Sequence, residues 1–459
     1  MSSLIFCLLT FFFALLFLPL SNARAGTIFK FDPIFFTEER YDDNLFLTRS
    51  NTRSDWITNV SPGFFASLSN PRLNATVEYD AGFYYYLHNP DLDYTGHNLT
   101  FNGTAELTPR LSCSLFESYI RSNNTQQAEL TGTDYERELR RDTRSIFNRK
   151  ISAPALNYSF GRENLVRLYY RNTDYNTEDP AESDFVEQYI EGTLEYWFNV
   201  RHGMKLPVSF TKGNFDKDPD LLHGIEATPR YRYRFTQHLE VYGEYGYATS
   251  DFENERFFQT LENGTQIIIA SVDREDFDTH KFNAGFLWEL PYNLTIEGSM
   301  GYFWRYGVGN RDDQGILSTL DLQKRIRNLS FTVGWESGYS ASYFSSLDSG
   351  FYKFWRISTG VNYTYQERLS WDINGSYGFY DYKDLRTSDV EEAVQFINEG
   401  REDYRYNFTT KLAYSLIKNY WYLSDLSLEV EYRFVELDSD LDTDYYINNQ
   451  SAVRLTARF

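Results

Sequence analysis

The segment Ala452-Val453-Arg454-Leu455-Thr456-Ala457-Arg458-Phe459, at the C-terminal end of the printed sequence, alternates apolar and polar side chains. Because successive side chains of a strand point to opposite faces, one face carries only apolar groups, namely Val453, Leu455, Ala457 and Phe459. The other face carries Arg454, Thr456 and Arg458. A transmembrane β-barrel strand turns one face to lipid and the other to an aqueous interior, so the segment predicts such a strand.

The same alternation recurs along the chain, which indicates an all-β protein built from many such strands. The clearest repeats of a two-residue period are Leu73–Phe83, Leu294–Tyr302, Leu369–Asn374 and Leu426–Phe434. In Leu73–Phe83 the odd positions are apolar and are expected to face lipid. The segment Arg149–Tyr158, which contains Pro154, has no clear phase, and its faces cannot be assigned from the sequence.

Composition supports a barrel rather than a helical membrane protein. The mean hydropathy is -0.52 and 24% of the residues are charged. The 38 Tyr, 38 Phe and 8 Trp residues exceed what a core needs and suit aromatic girdles at both membrane interfaces. After residue 25 no stretch of about 18 apolar residues exists, so every backbone polar group in the bilayer must be paired by closure of a sheet.

Residues 1–25 differ from the rest of the chain. An apolar run from Leu4 to Leu20 precedes Ser21–Ala25, in which Ala23 and Ala25 form a small-x-small pattern. We interpret residues 1–25 as a secretory signal peptide, with an uncleaved anchor as the alternative, and residues 26–459 as one outer-membrane β-barrel. Cys113 is the one cysteine in 26–459, so that segment cannot form an internal disulfide.

The balance of charge is strongly acidic. The chain carries 65 Asp and Glu against 44 Lys and Arg, a formal net charge of -21. This charge argues against nucleic acid as a partner.

Short turns and long polar segments alternate, which is the asymmetry of periplasmic turns and extracellular loops in outer-membrane barrels. The predicted short turns are near Asn70-Pro71, Thr108–Arg110, Gly161-Arg162, Arg201–Gly203, Thr236-Gln237, Pro291-Tyr292, Arg327-Asn328, Gln366-Glu367 and Lys418-Asn419. The predicted long loops are 122–143, 172–183, 214–221, 252–276, 383–402 and 437–445. With a first strand near Ile28–Phe36 and a last at Tyr446–Phe459, these joints predict an antiparallel up-and-down barrel of about 20 strands, with 18 as the alternative.

One predicted hairpin carries unusual charge on its inward face. Arg230, Arg232 and Arg234 alternate with aromatic residues, and Glu240 and Glu244 follow the turn. Tight pairing would set Arg234 opposite Glu240 and Arg230 opposite Glu244. Such pairs could simply fix register in a wet wall. They could also line a track for a hydrophilic solute.

Parity places further charged residues on the inward face. These candidate lumen-lining residues are Arg167, Arg171, Glu187, Glu191, Glu195, Glu297, Arg305, Arg356, Asp372, Arg405, Lys411, Glu429, Glu431 and Arg433. A pore specialised for one ion sign is expected to show a ring of like charge. Mixed signs favour a general polar conduit or an uncharged substrate such as a sugar.

The sequence offers no sign of catalysis, of a cofactor or of a dedicated metal site. The acidic run 438–444 has carboxylates at alternate positions but lacks the glycine of an EF-hand loop. A solvated acidic loop is the preferred interpretation, with loose divalent-ion binding as the alternative. None of the six His residues adjoins a recognisable nucleophile motif, and we expect no enzyme activity.

Two short motifs suggest a family. Tyr41–Phe46 (YDDNLF) and Val60–Phe64 (VSPGF) resemble the opening of bacterial outer-membrane proteins of the β-barrel porin type, which often accompany exopolysaccharide production. The resemblance implies a Gram-negative outer-membrane location, with lipid and lipopolysaccharide around the barrel. It also implies assembly by the barrel-assembly machinery, which would read Phe459 as a terminal signal, and polysaccharide secretion proteins as partners. It implies no catalytic residues.

Two functions of different class are therefore carried forward. The first is a porin-like conduit for polar solutes, which would include an exported exopolysaccharide. The second is a structural or adhesive barrel that acts through its acidic surface loops. We favour the conduit because a barrel of this strand number has room for one.

Overall fold

The computed structural model describes most of the chain after residue 25. The described residues are 26–123, 144–178, 184–216, 221–252, 255–260, 266–272, 277–307, 312–342, 350–382, 401–440 and 445–459. The predicted signal peptide lies outside the described residues, as do most of the predicted loops 122–143 and 383–402 and part of the acidic run 438–444.

The described residues form almost entirely β-structure. The strands are β1 Ile28–Asp42, β2 Asp55–Asn70, β3 Leu73–Tyr86, β4 Tyr94–Thr108, β5 Leu111–Ser122, β6 Phe147–Phe160, β7 Asn164–Thr177, β8 Phe185–Trp197, β9 His202–Phe215, β10 Leu221–Ala227, β11 Arg230–Arg234, β12 Leu239–Phe252, β13 Glu255–Thr260, β14 Gln266–Val272, β15 Phe277–Leu290, β16 Leu294–Gly307, β17 Asp313–Ile326, β18 Leu329–Ser342, β19 Gly350–Tyr365, β20 Leu369–Tyr382, β21 Arg401–Tyr420, β22 Leu423–Ser439 and β23 Tyr446–Arg458. A 3-10 turn lies at Pro90–Leu92. Within the described part of the chain, no helix is long and apolar enough to cross a membrane.

The strands close into an antiparallel up-and-down barrel. Each wall strand pairs with the next along the chain, and β23 pairs with β1 from Ile34↔Arg458 to Asp42↔Gln450. Strands β10 and β11 both pair with β9 and β12, so they are two halves of one wall strand. The break between them falls at Thr228-Pro229, where proline has no N–H to donate. The barrel therefore has 20 wall strands, which confirms the predicted fold and the preferred strand number.

The short turns and long loops between the strands alternate as predicted, with three local differences. The ninth short turn is at Trp421-Tyr422 rather than Lys418-Asn419, because β21 has a bulge between Ser415 and Ile417 and continues to Tyr420. Strand β7 reaches Thr177, so the predicted loop 172–183 is shorter than expected. The predicted loop 252–276 contains a separate hairpin, β13–β14.

The outer face carries the exposed apolar side chains. Near the periplasmic turns, exposed outward aromatic residues include Tyr158, Tyr196, Phe235, Trp288, Tyr365, Trp371 and Phe459. Toward the extracellular ends of the strands, they include Trp56, Phe83, Trp304, Tyr306, Tyr406 and Tyr432. Two aromatic belts enclosing an apolar band are the pattern of a barrel that spans a bilayer.

The first and last strands are also joined by side chains at the extracellular rim, a group that we call the rim clasp (Asp42, Asp43, Asn44, Asn448, Asn449 and Gln450). On the inner side, Asp42 accepts hydrogen bonds from Asn448 (2.7 Å) and Gln450 (3.0 Å). On the outer side, Asp43 accepts two hydrogen bonds of 2.7 Å from the backbone N–H and side-chain amide of Asn449. These hydrogen bonds thus join the end of β1 to β23 on both faces of the sheet.

A contact of Asn44 and a neighbouring side chain, Arg144, add to the rim clasp. The Asn44 side chain donates to the carbonyl of Ile447 at 2.9 Å. Arg144 donates to Asp42 at 3.1 Å, and both side chains are almost fully buried. The YDDNLF motif therefore has a structural role, because three of its residues hold the seam that closes the barrel.

We expect Asp42→Ala to lower the free energy of unfolding by about 3–5 kcal/mol, because it leaves the buried Arg144 guanidinium without its carboxylate partner. Urea unfolding of the detergent-folded protein measures this change. Asp91→Ala is the control, since Asp91 is exposed in the adjacent loop and its removal should change stability by less than about 0.5 kcal/mol. Equal effects of the two substitutions would contradict the clasp.

Candidate functional site

The structure places the predicted lumen-lining residues on the face opposite the exposed apolar belt. On β22, for example, Val430 and Tyr432 are exposed on the outer face, while Glu429 bonds inward to Arg454 of β23 and to Lys411 of β21. Because residues that pair across neighbouring strands point to the same side of the sheet, the same alternation of inward and outward side chains holds around the barrel. The residues on the inner face are Arg167, Arg171, Glu187, Glu191, Glu195, Arg230, Arg232, Arg234, Glu240, Glu244, Glu297, Arg305, Arg356, Asp372, Arg405, Lys411, Glu429, Glu431 and Arg433.

The charged hairpin of β11 and β12 has the register expected from the sequence. Arg230 lies opposite Glu244 and bonds to it at 2.8 Å, and Arg234 lies opposite Glu240 at 3.4 Å. Arg232 bonds to Glu240 at 2.5 Å and approaches Glu195 of β8 at 3.6 Å. Each arginine of this ladder is therefore neutralised by a carboxylate of the same wall.

Trp197 at the end of β8 supports the ladder, and sequence reasoning missed it. The Arg234 guanidinium lies 3.5 Å from the centre of the Trp197 ring, and that of Arg232 lies 4.9 Å away. Such contacts are favourable cation–π interactions. The opposite strand offers Gly203 at this point, where a Cβ would lie 2.7 Å from the indole, so only glycine lets the ring lie flat.

Other inward bases are paired in the same way. Arg171 bonds to Glu187, Arg356 to Glu336 and Lys411 to Glu429, each at 2.8 Å. Further inward pairs are Lys205–Glu195, Lys281–Glu226, Arg454–Glu429 and Arg454–Glu38, and of these residues the sequence did not identify Lys205, Lys281, Glu226 and Glu38. These pairs could have been found in the sequence by listing the inward residues of each strand and aligning neighbouring strands from their turns.

Several inward carboxylates differ, because they have no ion-pair partner among the described residues. Glu297 of β16 lies directly opposite Asp321 of β17, so two acids face each other. On β3, Glu78 and Asp80 share the inner face, and Asp80 accepts a hydrogen bond from Asn98 at 3.2 Å. Asp372 accepts a hydrogen bond from the neutral side chain of Asn362.

The segment 43–54, which joins β1 to β2, folds into the extracellular end of the bore. Leu45 packs against Ile57, Tyr86 and Tyr94, which line the inner face of β2, β3 and β4. Leu47 packs against the inner face of β22 and β23. The sequence did not identify this inward loop, because the side chains that receive it come from distant strands.

Arg144 fixes the inward loop from the side. Its guanidinium donates to the Leu45 carbonyl at 2.7 Å and to the Tyr86 hydroxyl at 3.2 Å. Burial lowers the pKa of Arg144, while Tyr86 and Asp42 raise it by more, so the pKa lies above its ordinary value and the group stays charged. The loop is thus anchored by a permanent charge as well as by apolar packing.

The bore is narrowed at a second place, where β17 and β18 separate. Their pairing extends from Ile326↔Leu329 only to Ser318↔Ser337. Beyond that point Tyr339 of β18 packs on the inward ring of Phe303, with ring centres 4.4 Å apart, and Lys353 of β19 bonds to Asp313 at 2.9 Å. The upper end of the β18–β19 hairpin therefore leans into the bore, inside the wall formed by β16 and β17.

The described part of the chain contains no group of three or more His, Cys, Asp or Glu side chains arranged to hold a metal ion. The arrangement that the structure does show is a polar inner wall with two inward projections at the extracellular end. Such a wall can pass or hold polar solutes.

Comparisons with known proteins concern the fold. No protein-family model matches the chain, and no curated protein matches its sequence. Among solved structures, the siderophore receptor PirA from Acinetobacter baumannii gives a TM-score of 0.50 at 8% identity, covering 95% of this chain and 81% of PirA. OprD from Pseudomonas aeruginosa gives 0.40 at 11% identity, covering 94% of this chain and 95% of OprD. OccAB2 from A. baumannii gives 0.39 at 10% identity, covering 94% and 98%.

The closed wall and its two aromatic belts define the class of the protein. The chain is an outer-membrane β-barrel of 20 wall strands, and its location is the cell outer membrane.

We expect charge reversal to reveal the coupling between Arg230 and Glu244. Arg230→Glu alone places like charges opposite each other and should lower the free energy of unfolding by about 1 kcal/mol, as should Glu244→Arg. The double variant restores opposite charges and should recover most of that loss, although the contact of Arg230 with the Tyr242 ring is not restored. Urea unfolding of all four proteins gives the coupling energy, and purely additive losses would contradict the pairing.

Proposed function

We propose that this chain forms a conduit for polar solutes across the outer membrane. The observation that carries the proposal is the inner wall, which presents charged, hydroxyl and amide side chains on all sides of a 20-strand barrel. Barrels of about 16–18 strands already enclose an aqueous channel. A wall of this width therefore favours a water-filled bore.

The inward loop 43–54 fits this proposal as a constriction. It is held by Leu45 and Leu47, which are 1% and 5% exposed, and by the rim clasp. Because it joins the outer end of the barrel, it would narrow the path from the extracellular side without closing the periplasmic end. No catalytic role is included in the proposal.

Export of an exopolysaccharide is a specific case of the proposal, and it rests on the resemblance of the YDDNLF and VSPGF motifs. The wall offers what a sugar chain needs, since hydroxyl and amide groups such as Thr76, Thr100 and Asn102 share the inner face of β3 and β4. On this proposal the partners are outer-membrane lipid and lipopolysaccharide, the barrel-assembly machinery and polysaccharide secretion proteins.

Conductance in planar bilayers tests the proposal. The purified chain 26–459 should insert and give stable open-channel currents. Leu45→Ser combined with Leu47→Ser removes the apolar anchors of the inward loop, each worth about 1.5–3 kcal/mol, and should raise single-channel conductance because the loop leaves the bore.

Leu87→Ser is the matched control, since Leu87 is 69% exposed in the neighbouring loop and its replacement should leave conductance unchanged. A folded wild-type protein that carries no current would overturn the conduit. That outcome would favour the structural or adhesive barrel.

A further inference from the structure

We propose that the upper end of the β18–β19 hairpin is a gate that moves between two positions, one inside the bore and one in the barrel wall. We call this part the gate hairpin (Gly338–Ser340 of β18 and Tyr352–Phe354 of β19). The structure shows the inner position, in which the gate hairpin narrows the bore. In the wall position it would complete the ladder with β17 and leave the bore wider. The inference rests on the proposed conduit and deepens it by naming how its opening is regulated.

The first observation is an interrupted ladder between two strands that both continue. The pairing of β17 with β18 ends at Ser318↔Ser337. Beyond that pair β17 stays paired with β16 as far as Asp313, and β18 stays paired with β19. Both strands are therefore extended above the split, where the described residues show no ladder between them. The same register continued upward would set Ile316 opposite Tyr339.

The alternation of side chains on the gate hairpin fits the wall position. Trp335 is exposed on the outer face of β18, and Tyr339 has the same parity. Tyr339 and Trp304 each lie ten residues after the first residue of their strands, so the wall position would place Tyr339 at the level of the extracellular aromatic belt. Lys353 pairs with Tyr339 and would share that face, where its long side chain can reach the headgroups. An aromatic ring at this level is typical of the outer face of a barrel.

In the structure, by contrast, Tyr339 and Lys353 face the inner side of the neighbouring wall. The Tyr339 ring packs on Phe303, an inner-face residue of β16, with ring centres 4.4 Å apart. Lys353 bonds to Asp313 of β17 at 2.9 Å. Side chains with outward parity thus contact inward side chains of the adjacent strands, so the gate hairpin lies one layer inside the wall.

Gly315 of β17 makes room for this inner layer. A Cβ at Gly315 would lie 2.7 Å from the Phe303 ring and 3.7 Å from the Lys353 side chain. The inner position therefore depends on the absence of a side chain at this point of β17.

The level of the split explains why an open strand edge is tolerated. Trp304 of the extracellular aromatic belt lies opposite Gln314, so the upper part of β17 is at the membrane interface. Backbone groups at the interface can reach water and headgroups, whereas in the hydrocarbon core they must be paired within the protein. The inner position can therefore exist without a completed ladder.

The contacts of the inner position are not all favourable. The side chains of Lys353 and Asp313 are 30% and 17% exposed, and partly exposed ion pairs add little stability. The Asp313 Oδ2 atom is buried without a hydrogen-bond partner among the described residues, which is unfavourable. In the wall position the ladder gains backbone hydrogen bonds and the packing of Tyr339 on Phe303 is lost. Since each position gains what the other lacks, the two differ little in free energy and both are populated.

Cysteine linkage tests the movement without any measurement of current. In the continued register Gln314 would lie opposite Ala341, with the same pairing geometry as Ser318 and Ser337, because both positions are four residues further along. In a Cys113→Ser background, Gln314→Cys with Ala341→Cys should form a disulfide during mild oxidation of the folded protein, detected as a linked peptide by mass spectrometry. Ser318→Cys with Ser337→Cys is the matched control, which should link faster because its ladder is formed in both positions. A folded protein in which the control links and residues 314 and 341 do not would overturn the gate.

A substitution at Gly315 should shift the balance toward the wall position. Gly315→Val places a branched side chain against the Phe303 ring and displaces its packing with Tyr339. Linkage of residues 314 and 341 should then be about 2- to 12-fold faster, the equivalent of the aromatic packing that is lost. Gly224→Val is the control on the inner face of β10, where a Cβ would meet no atom nearer than 3.7 Å, and it should leave the rate unchanged. Equal rates in the two glycine variants would contradict the inner position as the competitor of linkage.

Planar-bilayer currents then test whether the movement controls the bore. Linkage of residues 314 and 341 should raise the single-channel conductance, and reduction with dithiothreitol should restore the value of the unlinked protein. A linkage that forms and leaves the conductance unchanged overturns the gate and leaves the conduit standing. A protein that links but carries no current in either state overturns the conduit itself, so the two failures are distinguishable.

Discussion

Pairing of the backbone at the seam between β1 and β23 is the constraint on which the rest of the structure depends. No water is present in the bilayer core to satisfy an unpaired strand edge, so a sheet in the membrane must close on itself. The ladder from Ile34↔Arg458 to Asp42↔Gln450 provides this closure, and the rim clasp adds side-chain bonds on both faces of β23. The inward loop begins at the same point of the chain. Asp42 and Asn44 therefore take part both in closing the wall and in placing the loop that narrows the bore.

The charges of the inner wall occur in two arrangements. The ladder of β11 and β12 is matched within the wall, and this arrangement stabilises register while keeping the surface polar. Other carboxylates, such as Glu297 and Asp321, lie opposite each other on neighbouring strands and have no ion-pair partner among the described residues.

The two-residue period predicted the fold and the inward parity of residues such as Arg230 and Glu429, and the positions of the turns and loops predicted the strand number. Most short turns were also predictable, because Gly, Pro or Asn marks them locally, although the last of them was placed too early in the sequence. Contacts between distant segments were not: Asp42 meets Asn448, and the loop carrying Leu45 is received by strands β2, β3 and β4. Strand β5 shows another limit, because Glu117 lies on the outer face, where it bonds to Ser152 at 2.7 Å, and a polar residue there obscures the phase.

A disulfide across the seam tests the closed cylinder most directly. Phe36 and Thr456 face each other in the β1–β23 ladder although they lie at opposite ends of the sequence. In a Cys113→Ser background, Phe36→Cys with Thr456→Cys should form an internal disulfide in the folded protein, detectable as a linked peptide by mass spectrometry, while the off-register pair Phe36→Cys with Ala452→Cys should not. A folded protein in which residues 36 and 456 never become linked, or in which both pairs link equally, would contradict the closed barrel.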